Sequence, residues 1–185
     1  LRNQLNIPIL HVTHDLNEAR RIADKLCIIN EGVSLQVNSP ENIMNEPINT
    51  EVASLTGHDN LFKGALHKHE RENNKSFITW QNKILETTYS PKFEETEKLD
   101  WFIPSSLVMP ISSSASNNNR SNVMKGVILD IIQLGETSVF TIQLSEISNI
   151  IHMNYSTHQG KKRKFLPGLE ILISISIDGI HLMKK

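Results

Sequence analysis

Short apolar runs separated by polar turns fill this chain, and their period changes near residue 57. The run Ile7–Thr13 is mostly apolar and suits a buried strand of a parallel sheet. Asp15 is placed to cap a helix, and Glu18 three residues later completes a capping-box pattern. Leu16, Ala19, Ile22, Ala23 and Leu26 then recur at helical spacing. Leu26–Ile29 and Val33–Val37 flank the turn Asn30-Glu31-Gly32 and predict a hairpin. Ser39-Pro40-Glu41 is a helix start, with Ser at the cap, Pro at the first position and an acid in the first turn. That helix is expected to stop before Pro47. A further short helix is expected over Thr50–Thr56, closed by Gly57.

Beyond Gly57 the pattern is that of strands. They are expected at Asn60–His67, Ser76–Trp80, Lys83–Tyr89 and Trp101–Ile111, then at Gly126–Gln133, Thr137–Leu144, Ile150–Tyr155, Glu170–Ile177 and Ile180–Leu182. Gly135-Glu136 and Asp178-Gly179 supply turns. The Ser/Asn-rich segment 112–122 reads as a linker. Short strands at this spacing point to a small barrel. The chain is thus divided into an α/β region (1–57), a first β lobe (58–111), the linker (112–122) and a second β lobe (123–185). Similarity between the lobes is too weak in sequence to claim duplication.

Composition changes this picture little. The 185 residues carry a formal net charge of -1, which gives no global pull toward nucleic acid or anionic membrane. Hydrophobic residues are 38% and aromatics 5%, consistent with a modest core and much loop. Cys27, the one cysteine, allows no internal disulfide, which fits a reducing compartment. Its place in Leu26-Cys27-Ile28-Ile29 predicts a buried, inert thiol. The longest apolar stretch, Leu169–Ile177, is interrupted by Glu170, Ser174 and Ser176 and falls short of the ~20 residues of a membrane span. The opening Leu1–Leu5 has no signal-peptide pattern and no initiator Met; it is expected to be the tail of a helix from something longer.

The first candidate chemistry is Thr13-His14-Asp15 at the carboxyl end of the first expected strand. Side chains there face the crevice in which open α/β sheets bind ligands. A histidine at such a point can hydrogen-bond a phosphate oxygen or an attacking water; it can equally be a structural residue. From Ile7 through Leu55 the chain resembles the end of an ABC-type ATPase domain. The resemblance is carried by Ile7-Pro8-Ile9-Leu10-His11-Val12-Thr13-His14-Asp15-Leu16-Asn17-Glu18-Ala19, by Ala23-Asp24-Lys25-Leu26-Cys27-Ile28-Ile29-Asn30-Glu31-Gly32, and by Ser39-Pro40-Glu41 and Pro47. It implies that His14 is the switch histidine that contacts the γ-phosphate of ATP. It also implies ATP and magnesium as cofactors of the intact protein, a second ATPase subunit as homodimer partner, and membrane permease subunits. The implied location is peripheral, on the cytoplasmic face of the inner membrane. The chain contains no G-x-x-x-x-G-K-[ST] loop, no acidic strand end for magnesium and no L-S-G-G-Q-like signature. It is therefore expected to be inactive alone.

The β region carries a second resemblance. Asn60-Leu61-Phe62-Lys63-Gly64, Phe102-Ile103-Pro104-Ser105-Ser106-Leu107-Val108, Asn122-Val123-Met124-Lys125-Gly126-Val127-Ile128 and the ending Gly168–Leu182 are similar to the C-terminal extension of such importers, the TOBE or molybdate-binding-protein-like fold. The fold class implied is an α/β remnant of an ABC ATPase domain followed by an all-β, OB-like barrel region. The function implied is the C-terminal portion of an importer's ATP-binding subunit, for molybdate or a related oxyanion. The alternative is a non-enzymatic oxyanion-binding module for storage or sensing. Arg120, Ser121 and Lys125 are the candidate oxyanion donors, while Ser176 stands where the molybdate type carries Lys. A bound oxyanion and an unliganded structural or regulatory barrel both remain open. Lys161-Lys162-Arg163-Lys164 reads as a solvated loop or a lipid-headgroup contact. The run lacks the interleaved aromatics that nucleic-acid binding uses. His67 and His69 are expected on one side of a strand, with no third metal ligand near them.

Overall fold

The computed structural model describes residues 7–111 and 121–185. The first described helix, α1 (Leu16–Ile22), begins where Asp15 accepts the backbone N–H of Asn17 and Glu18 at 2.8 and 3.1 Å. The capping box is not closed as expected. Thr13 Oγ1 takes the Asp15 N–H at 3.0 Å, and the Glu18 carboxylate instead accepts the Thr13 hydroxyl at 2.9 Å. The expected strand Ile7–Thr13 is absent: the segment pairs with no described strand, and Leu10 and Val12 are 93% and 87% exposed. A parallel strand exists only between neighbours, and none of the described strands lies beside this one. Residues 7–57 are thus a set of short helices and a hairpin, and an ATPase-type α/β sheet is not seen among the described residues.

The hairpin pairs β1 (Leu26–Asn30) with β2 (Val33–Asn38). Glu31 and Gly32 at its tip have φ of 48° and 78°, the left-handed pair that a tight two-residue turn requires. None of the described residues covers the Cys27 face, so this thiol is exposed rather than buried and lies 3.1 Å from Ser34 Oγ. Helix α2 (Pro40–Asn45) starts at Ser39, whose hydroxyl accepts the Asn42 N–H. Helix α3 (Thr50–Leu55) is capped by Asn49, and Gly57 leaves it at φ 83°.

The remainder is β-rich. In order come β3 (Leu61–Glu70), β4 (Lys75–Trp80), β5 (Lys83–Thr88), β6 (Lys98–Phe102) and β7 (Val108–Ile111). Then follow β8 (Val123–Leu134), β9 (Thr137–Leu144), β10 (Ile150–Ser156), helix α4 (Thr157–Lys162), β11 (Glu170–Ile175) and β12 (His181–Lys184). The run expected as one strand over 101–111 is cut in two because Pro104 offers no N–H, and a 3-10 turn fills Ser105–Leu107. Helix α4 takes in Lys161 and Lys162 of the expected basic loop, whose four residues are all exposed. Ser156 caps it, and its Gly160 lies against the Phe140 ring, where a Cβ would come within 3.2 Å.

The two sheets repeat one plan. The first has the order β12-β6-β3-β4-β5 and the second β7-β11-β8-β9-β10, all neighbours antiparallel. Each half of the region therefore builds four strands of its own sheet and sends its fifth, β7 or β12, to the other. Local detail repeats as well. β3 is bulged between Leu66 and Lys68, β8 between Ile128 and Asp130. A Cβ on Gly64 would meet Thr79 O at 2.8 Å, and one on Gly126 would meet Gln143 O at 2.8 Å. The structure thus shows the duplication that the sequence left undecided: Asn60-Leu-Phe-Lys-Gly64 and Asn122-Val-Met-Lys-Gly126 open corresponding strands.

One hydrophobic cluster runs through both sheets and includes Phe62, Trp80, Trp101, Ile128, Phe140, Ile142 and Ile173. Trp80 and Trp101 meet edge to face at 4.9 Å. Burial of each such side chain contributes roughly 1.5–3 kcal/mol. A smaller cluster of Ala53, Phe102 and Met183 fastens α3 to β6 and β12.

Candidate functional site

Three places in this fold hold polar groups that a simple core has no use for. The first is the approach to α1. His14 is exposed immediately before the cap residue Asp15. Beside it His11 Nε2 lies 3.3 Å from Glu18 Oε2. The hydrogen bond from Thr13, and then that from His11, hold the Glu18 carboxyl below its ordinary value. His14 is thus presented to solvent by a capped helix, but the described residues around it include no loop of converging N–H groups for phosphate. They do not by themselves make a nucleotide site.

The second place is the seam between α2–α3 and the first sheet. His58 Nε2 donates to Met44 O at 2.8 Å, and His181 Nε2 to Pro47 O at 3.1 Å. The Phe102 ring lies between the two imidazoles, at 4.3 and 5.4 Å. Burial lowers the pKa of both histidines, against the raising effect of those carbonyl bonds.

The third place is the junction of the two sheets, where the duplication makes a matched pair of clamps. Asn60 is fully buried; its Oδ1 accepts the His152 N–H at 2.7 Å and its Nδ2 donates to His152 O at 2.8 Å and to Ser105 Oγ at 3.3 Å. Asn122 does the same to Glu86, at 2.7 Å for both backbone groups. In each case the residue opening the central strand of one sheet grips the edge strand of the other. An amide side chain is suited to this because it presents one acceptor and two donors.

The expected oxyanion donors lie around the second clamp. Ser121 Oγ donates to Glu86 Oε2 at 2.8 Å. Lys125 pairs instead with Glu170 Oε2 at 2.8 Å, with both side chains exposed. Arg120 lies outside the described residues, as do residues 112–120 of the expected linker. Ser176 bonds locally to Asp178. The structure therefore sends Ser121 and Lys125 to different carboxylates. Sequence reasoning missed Glu86 and Lys75, which join across β4 and β5. The Asn60 and Asn122 pairing was missed too, although the repeated Asn-x-x-Lys-Gly was there to find it. The His67/His69 pair is also resolved: His69 spends its two ring nitrogens on Ser76 Oγ at 2.8 Å and Phe93 O at 3.0 Å.

Two five-stranded sheets that exchange their last strands match a TOBE-like fold. A solved structure of the cytoplasmic molybdate-binding protein ModG, in a molybdate-bound form, superposes with a TM-score of 0.60 over 70% of this chain and 98% of that one, at 15% identity. At that identity the likeness concerns the fold. No protein-family model matches the chain. In sequence, the spermidine/putrescine import ATP-binding protein PotA of Borrelia garinii subsp. bavariensis is 28% identical over 185 residues, all of this chain and 47% of that protein. PotA of Acetivibrio thermocellus is 28% identical over 188 residues, again 47% of its length. PotA of the Aster yellows witches'-broom phytoplasma is 42% identical over 66 residues, 36% of this chain. The chain spans about half the length of most of the curated relatives it matches. It is homologous to the C-terminal part of ABC importer ATP-binding subunits.

Proposed function

We propose that this chain is the C-terminal portion of the ATP-binding subunit of an ABC importer. Its strand-swapped β region serves as an accessory, regulatory module attached to the switch-histidine segment. The observation that carries this reading is the alignment of all 185 residues with import ATP-binding proteins. In this reading His14, exposed ahead of α1, reaches the nucleotide only when the phosphate-binding elements of the subunit surround it. The His58–Phe102–His181 seam transmits the position of α2 and α3 to the first sheet, because the two imidazoles bond directly to Met44 and Pro47 carbonyls. A second ATP-binding subunit, permease subunits and a place at the cytoplasmic face of the membrane belong to the same proposal. Among the described residues no helix is long and apolar enough to cross a membrane.

For the imported substrate, the relatives favour a polyamine over molybdate. The oxyanion reading rests on the ModG-like fold, and two of its three candidate donors already face carboxylates. We assign the β region a role without a bound oxyanion. The test is uptake of labelled spermidine, putrescine and molybdate by cells with and without the gene that encodes this chain. Loss of polyamine uptake with molybdate uptake unchanged is expected. The reverse pattern overturns the polyamine assignment and restores the oxyanion reading.

A further inference from the structure

The carboxylate of Glu86 is held as a bound anion would be held. Its side chain is only 13% exposed. One oxygen receives the Ser121 hydroxyl at 2.8 Å, and the other lies against the Lys75 ammonium. Asn122, by gripping the Glu86 backbone N–H and C=O, fixes where that carboxylate can point. The Ser121 carbonyl is in turn held by Ser174 Oγ at 3.2 Å, so the backbone that carries the hydroxyl is itself anchored. A half-buried ammonium, an anchored hydroxyl and a rigid backbone make a cradle for an oxyanion, since charge-assisted bonds to anionic oxygen are the short, strong ones. The duplication supplies the comparison. At the corresponding junction Asn60 grips His152, so a carboxylate stands in only one of the two equivalent places.

We propose that Glu86 is a resident anion: its carboxylate fills an oxyanion cradle formed with Lys75 and Ser121 at the sheet junction and so excludes free oxyanions from it. This rests on the assignment of the β region as unliganded, and it deepens that assignment by naming the residue responsible. A second anion brought to this cradle meets the Glu86 charge at contact distance, where like charges repel. Removing the side chain beyond Cβ vacates nearly as many non-hydrogen atoms as a tetrahedral oxyanion brings, and it leaves Lys75 without its direct ion-pair partner, with Glu70 across the strand pair as a nearby carboxylate. Glu86→Ala is therefore a gain-of-binding variant.

The experiment is thermal unfolding and calorimetry on the purified 185-residue chain with millimolar molybdate, tungstate and sulfate, against chloride at equal ionic strength. The wild-type chain is expected not to respond. Glu86→Ala is expected to bind one oxyanion at least about tenfold more tightly than wild type. That response is expected to vanish in Glu86→Ala/Ser121→Ala and in Glu86→Ala/Lys75→Met. If Glu86→Ala is unfolded in chloride, recovery of its folded circular-dichroism signal by millimolar molybdate or tungstate is the equivalent result. A wild-type response abolished by Ser121→Ala overturns the proposal. So does a Glu86→Ala chain that neither binds nor is refolded by oxyanion. Because the readout uses the isolated chain and no transport, a failure of the import assignment leaves this result standing, and the converse also holds.

Discussion

Replacing Asn60 by Ala removes one of the two clamps that join the sheets, and its cost follows from the hydrogen bonds that the amide makes. Asn60 is fully buried and makes three of them, to the N–H and C=O of His152 and to Ser105 Oγ. Each neutral bond contributes a net ~0.5–1.5 kcal/mol, and a buried partner left unpaired costs ~1–3 kcal/mol. Water entering the vacated space recovers part of this, so the expected loss is about 3 kcal/mol. For a chain of this size that lowers Tm by about 10 °C. Urea titration followed by tryptophan fluorescence is the assay, because Trp80 and Trp101 are both buried in the shared core and report its opening. With a slope near ~2 kcal/mol per molar urea, the midpoint falls by about 1.5 M and the slope stays unchanged. Asn60→Asp is expected to fall nearly as far, since it places a carboxylate against the His152 carbonyl. A loss below about 1 kcal/mol at constant slope would show that the clamp does not hold the sheets together.

Three further outcomes are expected. Gly64→Ala and Gly126→Ala should each cost about 1–3 kcal/mol in the same titration, because the new Cβ falls 2.8 Å from Thr79 O or 2.6 Å from Ile142 Cγ2; wild-type stability in both would contradict the close approach. His58 and His181 have folded-state pKa values below the ordinary 6.5, so between those values and 6.5 the unfolded chain binds more protons, and stability falls as the pH is lowered through that window. His58→Gln and His181→Gln should flatten this dependence, and a wild-type midpoint that stays level down to about pH 5 would refute it. The purified chain should not release phosphate from ATP, since its 185 residues contain no phosphate-cradling loop; turnover that disappears in His14→Ala would be the contrary result.

Most elements were legible in the sequence because each strand carries its own alternation and each helix its own cap. Asp15 and Ser39-Pro40 cap where they were expected to, while the Asn49 cap of α3 was not foreseen. The failures share a cause: they depend on what lies beside a segment. Ile7–Thr13 has the composition of a buried strand but, among the described residues, no strand beside it to bond. Cys27 has apolar neighbours in sequence, but none of the described residues covers its face. The exchange of β7 and β12 between sheets is invisible to local pattern, since a four-residue strand reads the same whichever sheet receives it. Glu86 shows no local signal either. Its role arises only when Asn122, far along the chain, bonds to its backbone and brings Ser121 onto its carboxylate. The ATPase resemblance was readable over residues 7–55, and the relatives support its coarse form. Molybdate was the finer expectation, and it had less in the residues to rest on, with Ser176 in place of the expected Lys.

The central claim is that this chain completes the ATP-binding subunit of an importer, with His14 at the nucleotide. It is tested most directly by measuring ATP hydrolysis and polyamine uptake together in the importer assembled from the gene that encodes this chain and its permease partners. Wild type is to be compared with His14→Ala. The account predicts that both rates fall by about a hundredfold, as when one transition-state contact is removed, while the variant subunit is still incorporated. Unchanged hydrolysis and uptake in a fully assembled His14→Ala complex would contradict it.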